Sequence, residues 1–227
     1  MAPLLDRSSM ITRMRDALRL EAERTIVLTI DCQRGNLEPA LASLPVPAPE
    51  CARVIAGTNR LLALGRRHAL PIVHLTTVFE ACLLGTHPFE KAMLDLKESF
   101  SPGQTSDFKR HKSPGSKEAE FVDDLDVRPE DLIVDGKRTF DGFEGTPLDR
   151  LLRAMGRDTL LIAGCNTNTC VLSTTFGAYN RGYRAVVISD CVASAYGEDL
   201  HAFALSNIQR RLGWVLDLGE LEDKLAA

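Results

Sequence analysis

Three residues of different type could together make a nucleophile: Asp31, Lys137 and Cys170. A cysteine attacks as its thiolate, a nearby ammonium favours that anion, and a carboxylate carries the proton. Each residue stands just beyond a run that reads as a buried strand. Asp31 closes TIVLTI (25–30), and Lys137 follows LIV (132–134). Cys170 lies six residues past Gly164, which ends TLLIA (159–163), at the expected start of a helix. Unpaired backbone N–H groups at a helix start favour negative charge, and hence a thiolate. Taken singly, each residue has an ordinary role: Asp31 as a turn or cap residue, Lys137 as a solvated lysine, Cys170 as packing. The combination is what points to chemistry.

The other cysteines are Cys32, Cys51, Cys82, Cys165 and Cys191. Four of the six lie in or beside apolar strand-like runs, so free buried thiols in a reducing compartment are expected. Cys32 and Cys165 follow strands expected to be neighbours, and would be packing groups or a redox pair. Cys165-x4-Cys170 departs from the C-x-x-C spacing of a redox motif.

The elements that must position these groups alternate. Strands are expected at 25–30, 71–76, 132–134, 159–163, 184–189 and 213–216, with helices at 51–68, 147–155, 169–181 and 198–212. Strands apolar on both faces and separated by helices imply a parallel sheet covered on both sides. The expectation is an α/β, three-layer, doubly wound domain over residues 1–227. Ligands in such sheets sit beyond the carboxyl ends of the strands, where the three residues stand. A helical N-terminal extension (about 8–22) is expected to start at Ser8 or Ser9. An insertion (about 80–128) breaks the alternation with turn chemistry such as SPGQ and HKSPGS, and is expected over the sheet's carboxyl edge as a lid or a subunit contact.

Composition excludes several alternatives. With 227 residues, 44% of them apolar, the chain can bury a full core without disulfides or a structural metal. A net charge of −4 gives no basic excess with which to neutralise phosphates, so nucleic acid is not an expected partner. No apolar run approaches ~18 residues, so no membrane span is expected. Residues 1–20 lack the uninterrupted apolar core of a signal peptide, and a cytoplasmic location is expected.

The motifs resemble those of the isochorismatase-like cysteine hydrolases. Matching pieces are Ile30-Asp31-Cys32-Gln33; Gly136-Lys137-Arg138-Thr139-Phe140 followed by Gly145-Thr146-Pro147-Leu148; Gly164-Cys165-Asn166-Thr167-Asn168-Thr169-Cys170-Val171; and 182–190 running into Cys191-Val192-Ala193-Ser194. The resemblance covers about residues 24–216 and matches poorly over 80–128. It implies six parallel strands in the order 3-2-1-4-5-6, with Asp31, Lys137 and Cys170 as the catalytic triad. It also implies a thioester intermediate, an oxyanion site made by the backbone N–H groups of Asn166 and Cys170, and a cis Cys165–Asn166 bond. The implied activity is metal-independent cleavage of a C–N bond in a small amide or ureide, in the carbamoylsarcosine, ureidoacrylate and biuret amidohydrolase branch. A non-catalytic binding or regulatory homologue is the alternative. The five histidines, His68, His74, His87, His111 and His201, lack the Asp-x-His spacing of metal-binding relatives, so neither metal nor cofactor is expected. Gln33, Arg34, His74, Arg138, Phe140 and Tyr196 are candidate pocket residues, with Arg34 or Arg138 suited to a substrate carboxylate. A homodimer or homotetramer is expected, with the N-terminal extension and the insertion burying their apolar faces on a partner chain.

Overall fold

A computed structural model of the protein describes residues 6–79, 87–89, 91–92 and 111–226. Its frame is a six-stranded sheet: β1 (Thr25–Ile30), β2 (Ile72–Thr77), β3 (Leu132–Lys137), β4 (Thr159–Cys165), β5 (Arg184–Ala193) and β6 (Trp214–Leu216). The order is β3-β2-β1-β4-β5-β6 and every pairing is parallel. The sequence anticipates this order, and β1 falls on its expected residues. All six side chains of β1 are buried, because helices cover both faces of the sheet. One core takes Val27, Leu161 and Val186 against α3 (Ala48–Arg67) and the C-terminal helix α7 (Leu218–Ala226). The opposite core takes Ile26, Leu28, Leu160 and Ile162 against α4 (Leu148–Ala154) and α5 (Leu172–Asn180). Burying an aliphatic side chain of this size is worth about 1.5–3 kcal/mol.

Several elements differ from expectation. The N-terminal helix α1 (Ser8–Ala17) is shorter, and its first turn is closed by Asp6, whose Oδ1 accepts from the N–H and hydroxyl of Ser8. It docks on its own chain: Trp214 Nε1 donates to Met14 O (2.9 Å), and Arg15 pairs with Glu220 (2.8 Å). Helix α3 begins earlier than residue 51, since Pro49 fits the first turn, where no N–H is needed. A short helix α2 (Arg34–Leu37) follows β1. The helix before β6 is α6 (Glu198–Asn207), continued by a π turn at Ile208–Leu212. Helix α7 was not anticipated. Of the insertion, residues 80–86, 90 and 93–110 lie outside the described residues. Its return segment does reach the carboxyl edge: Phe121 bridges to Gln33, and Val122 and Leu125 enter the core.

Candidate active site

Asp31 leaves the end of β1 in a left-handed conformation (φ 53°). Its N–H donates to Leu75 O (3.0 Å) and its carbonyl accepts from Asn36 Nδ2 (2.8 Å), so the backbone is held from both sides. Lys137 is the last residue of β3. The β2–β3 register shifts between Leu75 and Thr77, and Gly136 takes φ 80°, which turns the lysine inward. Cys170 comes from the far side of β1. Strand β4 crosses so close to β1 at Gly164 (φ 119°) that a Cβ there would stand 1.9 Å from Ile30 O. The expected cis Cys165–Asn166 bond follows, then a π turn at Thr167–Val171 that carries Cys170. That turn replaces the regular helix start expected at residue 169. Thr167 Oγ1 bonds His201 Nδ1 (2.9 Å) and Asn168 Oδ1 accepts from Ser194 (2.6 Å), fixing the turn to its neighbours.

The three side chains converge. Lys137 Nζ donates to Asp31 Oδ2 (2.9 Å), Thr139 O (2.9 Å) and Thr77 Oγ1, and stands 3.4 Å from Cys170 Sγ. Three oxygens and the Cys170 sulfur thus share the three N–H bonds of one ammonium, the sulfur at the longest distance. Thr77 Oγ1 in turn donates to Asp31 Oδ1 (2.8 Å). Thr77 and Thr139 were not singled out from sequence; Thr77 lies one residue beyond the expected end of its strand.

Asp31 and Lys137 are fully buried, and Cys170 is 8% exposed. Burial pushes the Asp31 carboxyl up, but the ammonium groups of Lys137 and then Lys112 hold it below the usual carboxylate range. Burial pulls Lys137 down, and Asp31 then Cys170 more than reverse it. Burial pushes the Cys170 thiol up, and Asp31 adds to this against Lys137 and Lys112. One carboxylate already uses the charge of Lys137, so the balance favours the thiol beside an ionised base. Burial also pushes up Cys32, to about 12, and Cys51, to about 11, as well as Cys165 and Cys191. All five described cysteines are free thiols; Cys82 lies outside the described residues.

Three expected pocket residues are committed elsewhere. Gln33 donates from Nε2 to Thr77 O (2.9 Å) and Ala119 O (2.7 Å) and accepts Thr77 N–H, clamping β2 to the return segment. Arg34 pairs with Glu38, Glu120 and Asp123, so its charge is used on the surface and not on a substrate carboxylate. His74 is buried within β2, well below the strand ends. Burial keeps it neutral, and Asp131 can only accept, so Nε2 donates to Asp131 (3.2 Å) and Nδ1 accepts from Thr29 Oγ1 (2.6 Å). Replacing His74 by phenylalanine should lower stability by about 1–3 kcal/mol through the polar groups it strands, with KM unchanged. A KM shift at unchanged melting temperature would return the ring to the pocket. Asn166 ties its Oδ1 to Ala195 N (2.8 Å), which leaves its backbone as the group of interest. Arg138 and Phe140 lie exposed on the loop after β3, Phe140 at 47%, and Tyr196 is half-buried beyond β5.

Lys112 is the charged residue that sequence reasoning missed. It sits in the Ser/Pro/Gly-rich insertion, yet is 3% exposed, and its field reaches Asp31, Lys137 and Cys170. Among the described residues, no group of three or more His, Cys, Asp or Glu side chains is gathered as metal ligands would be. Nor is any helix among them long and apolar enough to cross a membrane.

Known proteins resemble this chain in sequence and in fold. A ureidoacrylate amidohydrolase, RutB, of Methylobacterium radiotolerans is 29% identical over 217 residues, spanning 92% of this chain and 83% of that one. A cysteine hydrolase from Pseudomonas syringae superposes with a TM-score of 0.77 at 22% identity, covering 92% of this chain and 95% of that one. The N-carbamoylsarcosine amidase of Thermoplasma acidophilum gives a TM-score of 0.63 at 21% identity, covering 86% and 96%. The family model for the isochorismatase domain matches residues 25–220, from the first residue of β1 into α7. The chain is therefore a hydrolase belonging to the isochorismatase family.

Proposed function

We propose that the protein is a cysteine amidohydrolase that cleaves a C–N bond of a small amide or ureide through a thioester. The reading is carried by one observation: a single buried ammonium, Lys137 Nζ, lies 2.9 Å from the Asp31 carboxylate and 3.4 Å from the Cys170 sulfur. Asp31 takes the thiol proton as the sulfur bonds to the substrate carbonyl carbon. Lys137 lowers the cost of the anion at the moment it forms. The oxyanion is assigned to the backbone N–H groups of Asn166 and Cys170, which share one turn. The C–N bond then breaks, and nitrogen leaves as ammonia or an amine with the proton returned by Asp31. Water adds to the thioester, Asp31 takes its proton, and the S–C bond breaks to restore the thiol. Base, counter-charge and nucleophile are all protein groups, so no step requires a metal.

The test is ammonia release from a panel of carbamoyl amino acids, ureidoacrylate, biuret and nicotinamide, run with wild type and Cys170→Ala. Release from at least one ureide, lost in the variant, is the expected result. Release that survives Cys170→Ala, or none from any compound, would remove the proposal.

A further inference from the structure

Two neighbouring helices leave an apolar face uncovered. Large apolar side chains exposed on a monomer are usually scattered singly. Here four of the nine among the described residues stand on α5 and α6: Phe176, Tyr179, Leu200 and Phe203, the last 60% exposed. Phe176 and Tyr179 are three residues apart on α5, as are Leu200 and Phe203 on α6, so each pair shares a face of its helix. Both helices pack into the same core beneath, through Ala178 of α5 and Ala204 of α6. At one end the Arg211 guanidinium lies over the Tyr179 ring (5.0 Å), and at the other His201 bonds Thr167 of the nucleophile's turn (2.9 Å). The two pairs therefore form one surface across adjacent helices.

The charges on α6 say what fits that surface. Glu198 and Asp199 are exposed at the start of the helix, and Arg210 and Arg211 are exposed in the π turn that continues it. This order suits the helix's own dipole. It also makes the face self-complementary. An antiparallel copy of the same helix sets Glu198 and Asp199 against the partner's Arg211 and Arg210 at both ends, with Phe203 between them near the midpoint. A partner of one charge sign would meet repulsion at one end, whereas a second copy of this chain meets none.

We propose that this face is a two-fold interface between copies of the chain, with α6 packed antiparallel on the partner's α6, Phe203 at its centre and α5 on its flank. The N-terminal extension, expected to make such a contact, is not needed for it, since α1 lies on its own chain. The inference does not depend on the amidohydrolase reading.

Sedimentation of the full chain at micromolar concentration should give the mass of two chains, not the 24.9 kDa of one. Phe203→Glu should sediment as one chain with unchanged far-ultraviolet ellipticity, because the side chain it replaces is exposed in the monomer. Asp199→Arg and Arg210→Asp, each alone, set like charges together at both ends and should weaken the dimer by about 10-fold or more. Mixed in equal amounts, these two variants should recover the dimer, since each chain then carries the charge that the other lacks. A parallel packing, or a contact elsewhere on the molecule, would not show that rescue. A monomeric wild type, a Phe203→Glu chain that stays dimeric, or charge variants that fail to complement each other would overturn the assignment.

Discussion

Cys170→Ser should leave a folded protein whose turnover is lower by at least about 10³-fold. The substitution changes one atom in a group already packed against Val171 and Leu172, so stability should barely move. What changes is acidity. A serine hydroxyl would compete for the same Asp31 base from a far higher pKa, and the ammonium of Lys137 could not close that gap. The same logic orders the thiols. Among the described cysteines, Cys170 is the one in contact with the Lys137 ammonium and beside the Asp31 base, whereas burial holds Cys32 at about 12 and Cys51 at about 11. In a Cys82→Ser background, substoichiometric iodoacetamide should label Cys170 first, with activity lost one for one. First labelling at Cys32 or Cys191, or turnover surviving in Cys170→Ser, would break the mechanism while leaving the fold intact.

The second large effect concerns the Asp31–Lys137 pair. Both partners are fully buried and 2.9 Å apart. Lys137→Met strands a carboxylate in the interior, and breaking a buried pair from one side typically costs about 3–5 kcal/mol. Lys112 tempers this, because its charge still favours the ionised Asp31 carboxyl. The double variant Asp31→Asn with Lys137→Met should recover most of the lost stability and none of the activity. The pH dependence has a definite sign. The folded Asp31 carboxyl lies below its unfolded value, so its contribution is present above the unfolded pKa and is lost as pH falls through the folded one. Lys137 is raised, so its contribution is complete below the unfolded lysine pKa and is lost as pH rises through the folded one. Urea unfolding across pH should show both limbs shallower in the double variant than in wild type, with the remaining acid limb left to other paired carboxylates such as Asp158 and Glu118. A single-variant cost below about 1 kcal/mol would mean that the pair is weakly held.

The sheet was legible because its signal is local. TIVLTI is apolar on both faces and stops at a charged residue, and β1 occupies those residues and no others. The triad was legible for a related reason: each member stands at the end of such a run, where a parallel sheet must place it. Side-chain direction was not legible. Gln33 and Arg34 follow Asp31 closely in sequence, yet one clamps two segments and the other pairs at the surface. His74 lies on a strand that reaches the site, but its own position is halfway down. Lys112 was hidden by neighbours that read as turn residues, since burial of an insertion depends on what folds over it. Helix α7 did carry a readable start: Asp217 and Glu220 exchange backbone bonds at 2.7 and 2.9 Å, a reciprocal cap that the spacing Asp217-x-x-Glu220 announces.

The threonine hydroxyl between Lys137 and Asp31 has a wider consequence. Strands β1 and β3 are not neighbours; β2 lies between them, and Thr77 spans the gap. The ion pair joins residues 106 positions apart in the chain, and the sulfur arrives 33 positions later still. During synthesis the base emerges first, the counter-charge much later and the nucleophile last, so no partial chain carries a working centre. Such long-range closures are slow relative to helix formation. Regain of turnover after denaturation is thus a clock for the docking of an edge strand and the closing of a turn on opposite sides of β1, while far-ultraviolet ellipticity times the helices that precede them.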